Sequence, residues 1–198
     1  RTSDEFYANP ALGEFWTGRR PGLSDVGIWL GLDTRDLADW SLTDLDLESS
    51  GIIADAEERL TRELRDRRGT EDSSADDHLA EVISEMRLVK DDYEIAELQE
   101  AVAGTHRGFQ DIIDALPTAI GHPRGERIVE GAFHARARLE GNDVGYGTIA
   151  ASGSHACILH WVTNDGPVSP GDLLLVDAGV ERDSLYTADI TRTLPVSG

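Results

Sequence analysis

Hydrophobic positions recur along this chain with two different periods, and the change from one to the other divides it. Over residues 91–116, DDYEIAELQEAVAGTHRGFQDIIDAL, apolar side chains fall at Ile95, Leu98, Val102, Phe109, Ile112, Ile113 and Leu116, with Thr105 in the same stripe. Steps of three and four put them on one face of a helix. Asp91 or Asp92 supplies the N-cap, and Pro117, which has no N–H to continue the ladder, predicts the end. A second helix is predicted over residues 125–140, carrying Ile128, Val129, Ala132, Phe133, Ala135 and Leu139 and stopping before Gly141 and Asn142. Upstream the pattern is weaker. TRDLADW, from Thr34, reads as a short helix capped by Asp33 or Thr34, and residues 52–68 place Ile53, Ala56, Leu60 and Leu64 at helical spacing. GTEDSSADD then reads as a polar loop and residues 77–86 as a further short helix.

After Gly141 the period falls to two. VGYGTIAA, ACILHWV, DLLLVDAG and LYTADITRTL read as strands; SGSH and NDGPVSPGD separate the first three, and ERDS turns the last two into a hairpin. Helices first and an antiparallel meander afterwards make an α+β layout with the helices on one face of the sheet. A domain boundary is expected near residue 86, giving domains 1–85 and 86–198.

The hairpin poses a chemical problem. Asp177 ends LLLVD, Asp189 interrupts LYTADITRTL, and the midpoint between them is Asp183, so the two aspartates are expected to face each other. Directly opposed residues have Cβ atoms about 4.5–5.5 Å apart, and like charges there are destabilising. Either one acid is engaged structurally, capping a turn or pairing with Arg192, or the pair holds divalent metal and repulsion becomes affinity. Carboxylate oxygens suit manganese, cobalt or zinc in a two-metal site with ions about 3.5–4 Å apart. Two carboxylates leave such a site incomplete, since each ion takes roughly four ligands or more.

Among the histidines, His78, His106 and His134 fall on predicted helices and His122 in the loop IGHPRG, all expected at the surface. His155 and His160, in SGSHACILHW just ahead of the hairpin, are the candidates for a site, with His160 on a predicted strand. Cys157 is expected as a small buried thiol on that strand, a nucleophile beside either histidine being the alternative. Trp161 packs or lines a pocket.

Charge narrows the partners. With 18 basic and 38 acidic residues the net charge is −20, and Lys90 is the single lysine. Nucleic acid and anionic membrane surfaces both need a basic patch, so neither is expected. No run approaches the roughly 18 apolar residues of a membrane span. The opening RTSDEFYANP predicts no secretory leader, and one cysteine fits a reducing, cytoplasmic setting. The chain opens at Arg1, its one methionine is Met86, and it stops after the strand-like DITRTLPVSG, so a piece of a longer protein is expected.

Across MRLVKDDYEIAELQEA, SGSHACILHWVTNDGPVSPGDLLLVDAG and YTADITRTLPVSG, residues 86–198 resemble the first half of the pita-bread metallopeptidase domain. The likeness is to the Xaa-Pro aminopeptidase (aminopeptidase P) family in its acidic bacterial form, with GDLLLVDAG followed ten residues later by DITRT as the signature. GEFWTGRRPGL, within residues 1–85, is similar to the end of that family's creatinase-like amino-terminal domain. The resemblance implies Asp177 as a ligand of one metal, Asp189 as the carboxylate bridging two, and His160, in ILHW, beside the substrate where it stabilises the attacked carbonyl. His155 stands where many relatives have asparagine and receives no role. A further histidine and two glutamate ligands belong to later strands of the family, outside this sequence. The implied chemistry is hydrolysis by water at two divalent ions, usually manganese, with cobalt or zinc as alternatives. The implied substrate is a peptide with proline second, whose first residue is released; a homo-oligomer of the full-length protein is left open. A Xaa-Pro dipeptidase (prolidase) and a non-catalytic binding module are the alternatives, while the metal-free creatine-hydrolysing branch has no need of the aspartate pair. The 198-residue chain alone is expected to be inactive.

Overall fold

The computed structural model describes residues 18, 21–36, 39, 41, 46, 50–54, 57–70 and 72–196. The chain divides into two compact units, Arg1–Glu85 and Met86–Gly198. Helices α1 (Leu23–Leu30) and α2 (Glu58–Arg68) belong to the first, and α3 (Ser74–Leu88) begins in it. Asp25 accepts from the amide of Gly22 to start α1, and Gly31, at φ 64°, ends it. The helix expected at TRDLADW is not formed over residues 33–36, where the Thr34 hydroxyl instead donates to the Leu23 carbonyl at 2.6 Å; residues 37, 38 and 40 lie outside the described residues. The stretch GEFWTGRRPGL and Ala56 also fall largely or wholly outside them.

α2 starts six residues later than residue 52, because Glu57 caps it by accepting from the Leu60 amide while the Ile52 amide donates to Asp76. α3 starts before residue 77: the acidic run read as loop supplies its first turn, where Asp76 and Asp77 complement the helix dipole. Asp76 is buried and also accepts from Arg68 at 3.0 Å.

The second unit opens with α4 (Asp92–Ala119), capped reciprocally by Asp91 and Glu94. Pro117 does not stop it. Its missing N–H falls in the last turn, and the Ile120 amide still reaches the Leu116 carbonyl at 2.9 Å. α5 (Gly125–Glu140) has the expected bounds and packs against α4. The buried face of α4 is Ala101, Gly104, Thr105, Gly108, Phe109 and Ile112, so the bulky stripe is only partly covered and Ile95, Val102 and Ile113 remain exposed. Small residues win that face because they admit α5: a Cβ at Gly108 would lie 2.6 Å from the Phe133 ring.

β1 (Asp143–Val144) pairs with β4 (Val180–Glu181), and β2 (Ile149–Ser152), β3 (Leu173–Ala178) and β5 (Ile190–Pro195) form an antiparallel sheet in the order β2-β3-β5. The strand expected at ACILHWV is absent. Gly153, at φ 57°, turns the chain out of β2 into a 3-10 helix, Gly153–Cys157, and His160 then sits in a turn. Cys157 is consequently exposed rather than buried. Leu174, Val176 and Ala178 alternate toward α4 and α5 and join Phe109, Ile112, Val129 and Phe133 in the core.

The hairpin register also departs from expectation. Asp177 pairs with Thr191 and Ala178 with Ile190, and the turn closes through Leu185, at φ 69°, whose amide donates to the Arg182 carbonyl. Glu181 bridges Thr187 in the same register, so Asp189 stands across from Gly179 and diagonal to Asp177. A shift of two residues preserves the face, because side chains alternate with period two.

Candidate metal centre

The sheet face turned away from the helices carries the acids. Ile149, Asp177 and Thr191 stand in a row across β2, β3 and β5, and Asp189 lies on the same face one diagonal step away. The Thr191 hydroxyl donates to Asp177 Oδ2 at 2.8 Å. Tyr146, just before β2, places its hydroxyl 2.6 Å from Asp177 Oδ1 and 3.0 Å from Asp189 Oδ1. Burial, followed by the hydrogen bonds to the two carboxylates, pushes the Tyr146 pKa above its ordinary value, so the phenol keeps a proton and offers it to two acceptors. The proposed pairing with Arg192 is not made; that guanidinium donates to the Thr191 carbonyl at 2.7 Å.

His160 is exposed and lines a cavity of about 410 Å³ together with Tyr146, Ile149, Val162, Asp177 and Asp189. All three sequence candidates therefore meet in one depression, although His160 reaches it from a turn. His78, His106, His122 and His134 are exposed. Among the described residues no three His, Cys, Asp or Glu side chains gather where they could hold a metal ion. The fit of a divalent cation is thus partial but chemically consistent. Two carboxylates whose inner oxygens share one phenolic oxygen as neighbour can share a cation, and their donors are hard oxygens.

Beneath the turn lies a group that the sequence did not single out. Glu126, in the first turn of α5, is fully buried. Its Oε1 accepts from the Ser152 amide and His155 Nδ1, both at 2.8 Å, and its Oε2 from Trp161 Nε1 at 2.9 Å and the Gly166 amide at 2.8 Å. Burial works against the charge, but these four donors outweigh it and hold the Glu126 pKa below its usual value. An ionised carboxylate only accepts, so His155 carries its proton on Nδ1. The His155 and Trp161 rings stack, with centroids 4.0 Å apart.

Tyr146 had one sequence signal, an aromatic hydroxyl between two glycines in a strand-like run. Glu126 had none, because an acid in a first helical turn ordinarily serves the helix dipole at the surface.

With this geometry in place, the sequence profile of metallopeptidase family M24 matches residues 96–198. Over its whole length the chain is 48% identical to Xaa-Pro aminopeptidase 2 of Streptomyces coelicolor, of which it covers 41%. The solved aminopeptidase PepP of Pseudomonas aeruginosa superposes on 96% of the chain with a TM-score of 0.70 and 28% identity, the chain covering 45% of that structure. The prolidase of Pyrococcus furiosus superposes on 60% with a TM-score of 0.52 and 28% identity, the chain covering 34% of it. The chain spans less than half the length of each of these relatives. Its mixed helix and sheet architecture is that of the pita-bread aminopeptidases, and the chain belongs to metallopeptidase family M24.

Proposed function

We propose that this chain is the part of a Xaa-Pro aminopeptidase that supplies the first two carboxylates and the carbonyl-positioning histidine of a dinuclear hydrolytic centre. The observation that carries this reading is the meeting of Asp177, Asp189 and His160 in one cavity. Asp177 would bind one divalent ion and Asp189 would bridge two, with manganese favoured over cobalt or zinc. Ions bound there would supply a water of lowered pKa and charge stabilisation for the oxyanion. His160, exposed at the cavity, donates a hydrogen bond to the carbonyl under attack, and Tyr146 with Thr191 fixes the rotamer of Asp177. Ile149 and Val162 give the cavity apolar walls suited to a proline ring.

Aminopeptidase is favoured over dipeptidase because the aminopeptidase likeness runs through both compact units, whereas the prolidase superposes on 60% of the chain. Residues 1–85 are accordingly read as the end of the amino-terminal domain and residues 86–198 as the first half of the catalytic one, in a cytoplasmic enzyme.

The test uses the full-length protein. It is expected to release glycine from a Gly-Pro peptide and to lose that activity with chelator. Asp189→Ala is expected to lose most bound metal, read by elemental analysis, along with turnover. A metal-loaded, active Asp189→Ala protein overturns the reading.

A further inference from the structure

We propose that Glu126, which has no place in the cavity itself, is the positioning residue for His160 and acts through His155 and Trp161; this rests on the role given to His160 above. Between Ser152, the last paired residue of β2, and Gly166 the chain leaves the sheet, forms a 3-10 helix and a turn, and carries His160 with no strand pairing. Both ends of this segment and two of its side chains donate into one carboxylate. Two bonds on each oxygen use the roughly four acceptor sites that a carboxylate has. Glu126 stands on a helix end, and its own amide donates to the Gly166 carbonyl at 3.1 Å, so the anchor is as fixed as α5. Trp161, held from below by Glu126 and from the side by the His155 ring, is the neighbour of His160 in the chain.

An amide cannot replace this group. Glutamine has one acceptor oxygen, and either orientation turns its NH2 toward two of the four donors. Loss of the anchor misplaces the turn, and displacements of about 1 Å at a reacting group cost on the order of 100-fold in rate. At His155 the donor to Oε1 can be supplied by an asparagine amide and not by alanine, while either substitution removes the ring that stacks on Trp161.

Full-length Glu126→Gln, His155→Ala, His155→Asn and Val129→Ala proteins test the assignment, the last as a core truncation elsewhere on α5. Glu126→Gln is expected to lose on the order of 100-fold in kcat with KM little changed. His155→Ala should lose a smaller part of kcat, His155→Asn should recover the share that the hydrogen bond to Glu126 supplies, and Val129→Ala should be less stable yet turn over normally. Hydrogen exchange by mass spectrometry should speed up in residues 152–166 of Glu126→Gln while β3 and α4 keep their protection. Wild-type kcat and segment protection in Glu126→Gln overturn the proposal, as do equal rates for His155→Ala and His155→Asn. If Glu126→Gln does not fold, the two His155 variants decide. Should Asp189→Ala prove active and metal-loaded, the dinuclear-centre reading fails, and exchange in residues 152–166 still decides whether Glu126 anchors them.

Discussion

Tyr146 holds a single proton between two carboxylates, and that makes it the most informative residue to change beside the aspartates themselves. In Tyr146→Phe, Asp177 keeps the Thr191 hydroxyl but loses its shorter hydrogen bond, and Asp189 loses its contact with the phenol. Groups that orient metal ligands typically contribute about 10–100-fold to metal affinity. We therefore expect Tyr146→Phe in the full-length protein to bind manganese about 10–100-fold more weakly in a competitive chelator titration, with its melting behaviour close to wild type. Unchanged affinity would remove Tyr146 from the site. At this scale the sequence showed what it could show by residue type. Asp177 and Asp189 were visible because an acid inside an apolar strand costs free energy without a partner, and His160 because it sat close ahead of them. Glu126 was not visible and Tyr146 showed only through its two flanking glycines, because a tyrosine in a strand and an acid in a first helical turn are ordinary occupants of those places.

Elements were legible where one face is buried by regular repetition. α5 has the bounds that its apolar spacing predicts, and β3 alternates as a strand with one face on a core should. ACILHWV misled because its apolar residues are not paying a burial role: Leu159 is 90% exposed, and what shapes the segment is Gly153 together with donors aimed at Glu126. Pro117 misled because the bond it forfeits lies in the last turn. The apolar stripe of α4 located the helix and, through Thr105, Phe109 and Ile112, part of its buried face, but not the share of that face made by Gly104 and Gly108. That contact is testable. Gly108→Ala places a Cβ 2.6 Å from the Phe133 ring, well inside van der Waals contact, and overpacking of this kind costs about 1–3 kcal/mol. Urea denaturation should show a loss of unfolding free energy of that size, seen as a lower midpoint, with helicity retained. A neutral or stabilised Gly108→Ala variant would mean that α4 and α5 are not in such close contact.

For the whole molecule, a net charge of −20 sits on a scaffold whose inner carboxylates are tied to specific donors. The Arg136 hydrogen bonds hold Asp111 below its usual pKa, and those of Arg107 do the same for Glu140. Asp76 is raised by burial and lowered further by the Ile52 amide and Arg68, for a net depression. With folded-state values depressed, the unfolded chain binds more protons in the acid range, so stability is present above the unfolded pKa values near about 4 and is lost as pH falls through the folded ones. Thermal melts between pH 3 and pH 7 should therefore fall toward the acid end, and Arg136→Met should flatten that dependence. A melting temperature that rises on acidification would show that relief of self-repulsion dominates instead. The two-residue difference in hairpin register has a consequence on this scale too. Gly179 stands across from Asp189, and a Cβ on it would collide with the Ala188 carbonyl oxygen. In a saturation-mutagenesis map of the chain, position 179 would rank with the two aspartates in intolerance while contributing no functional group, so such a map would chart the spacing of the carboxylates as well as their chemistry.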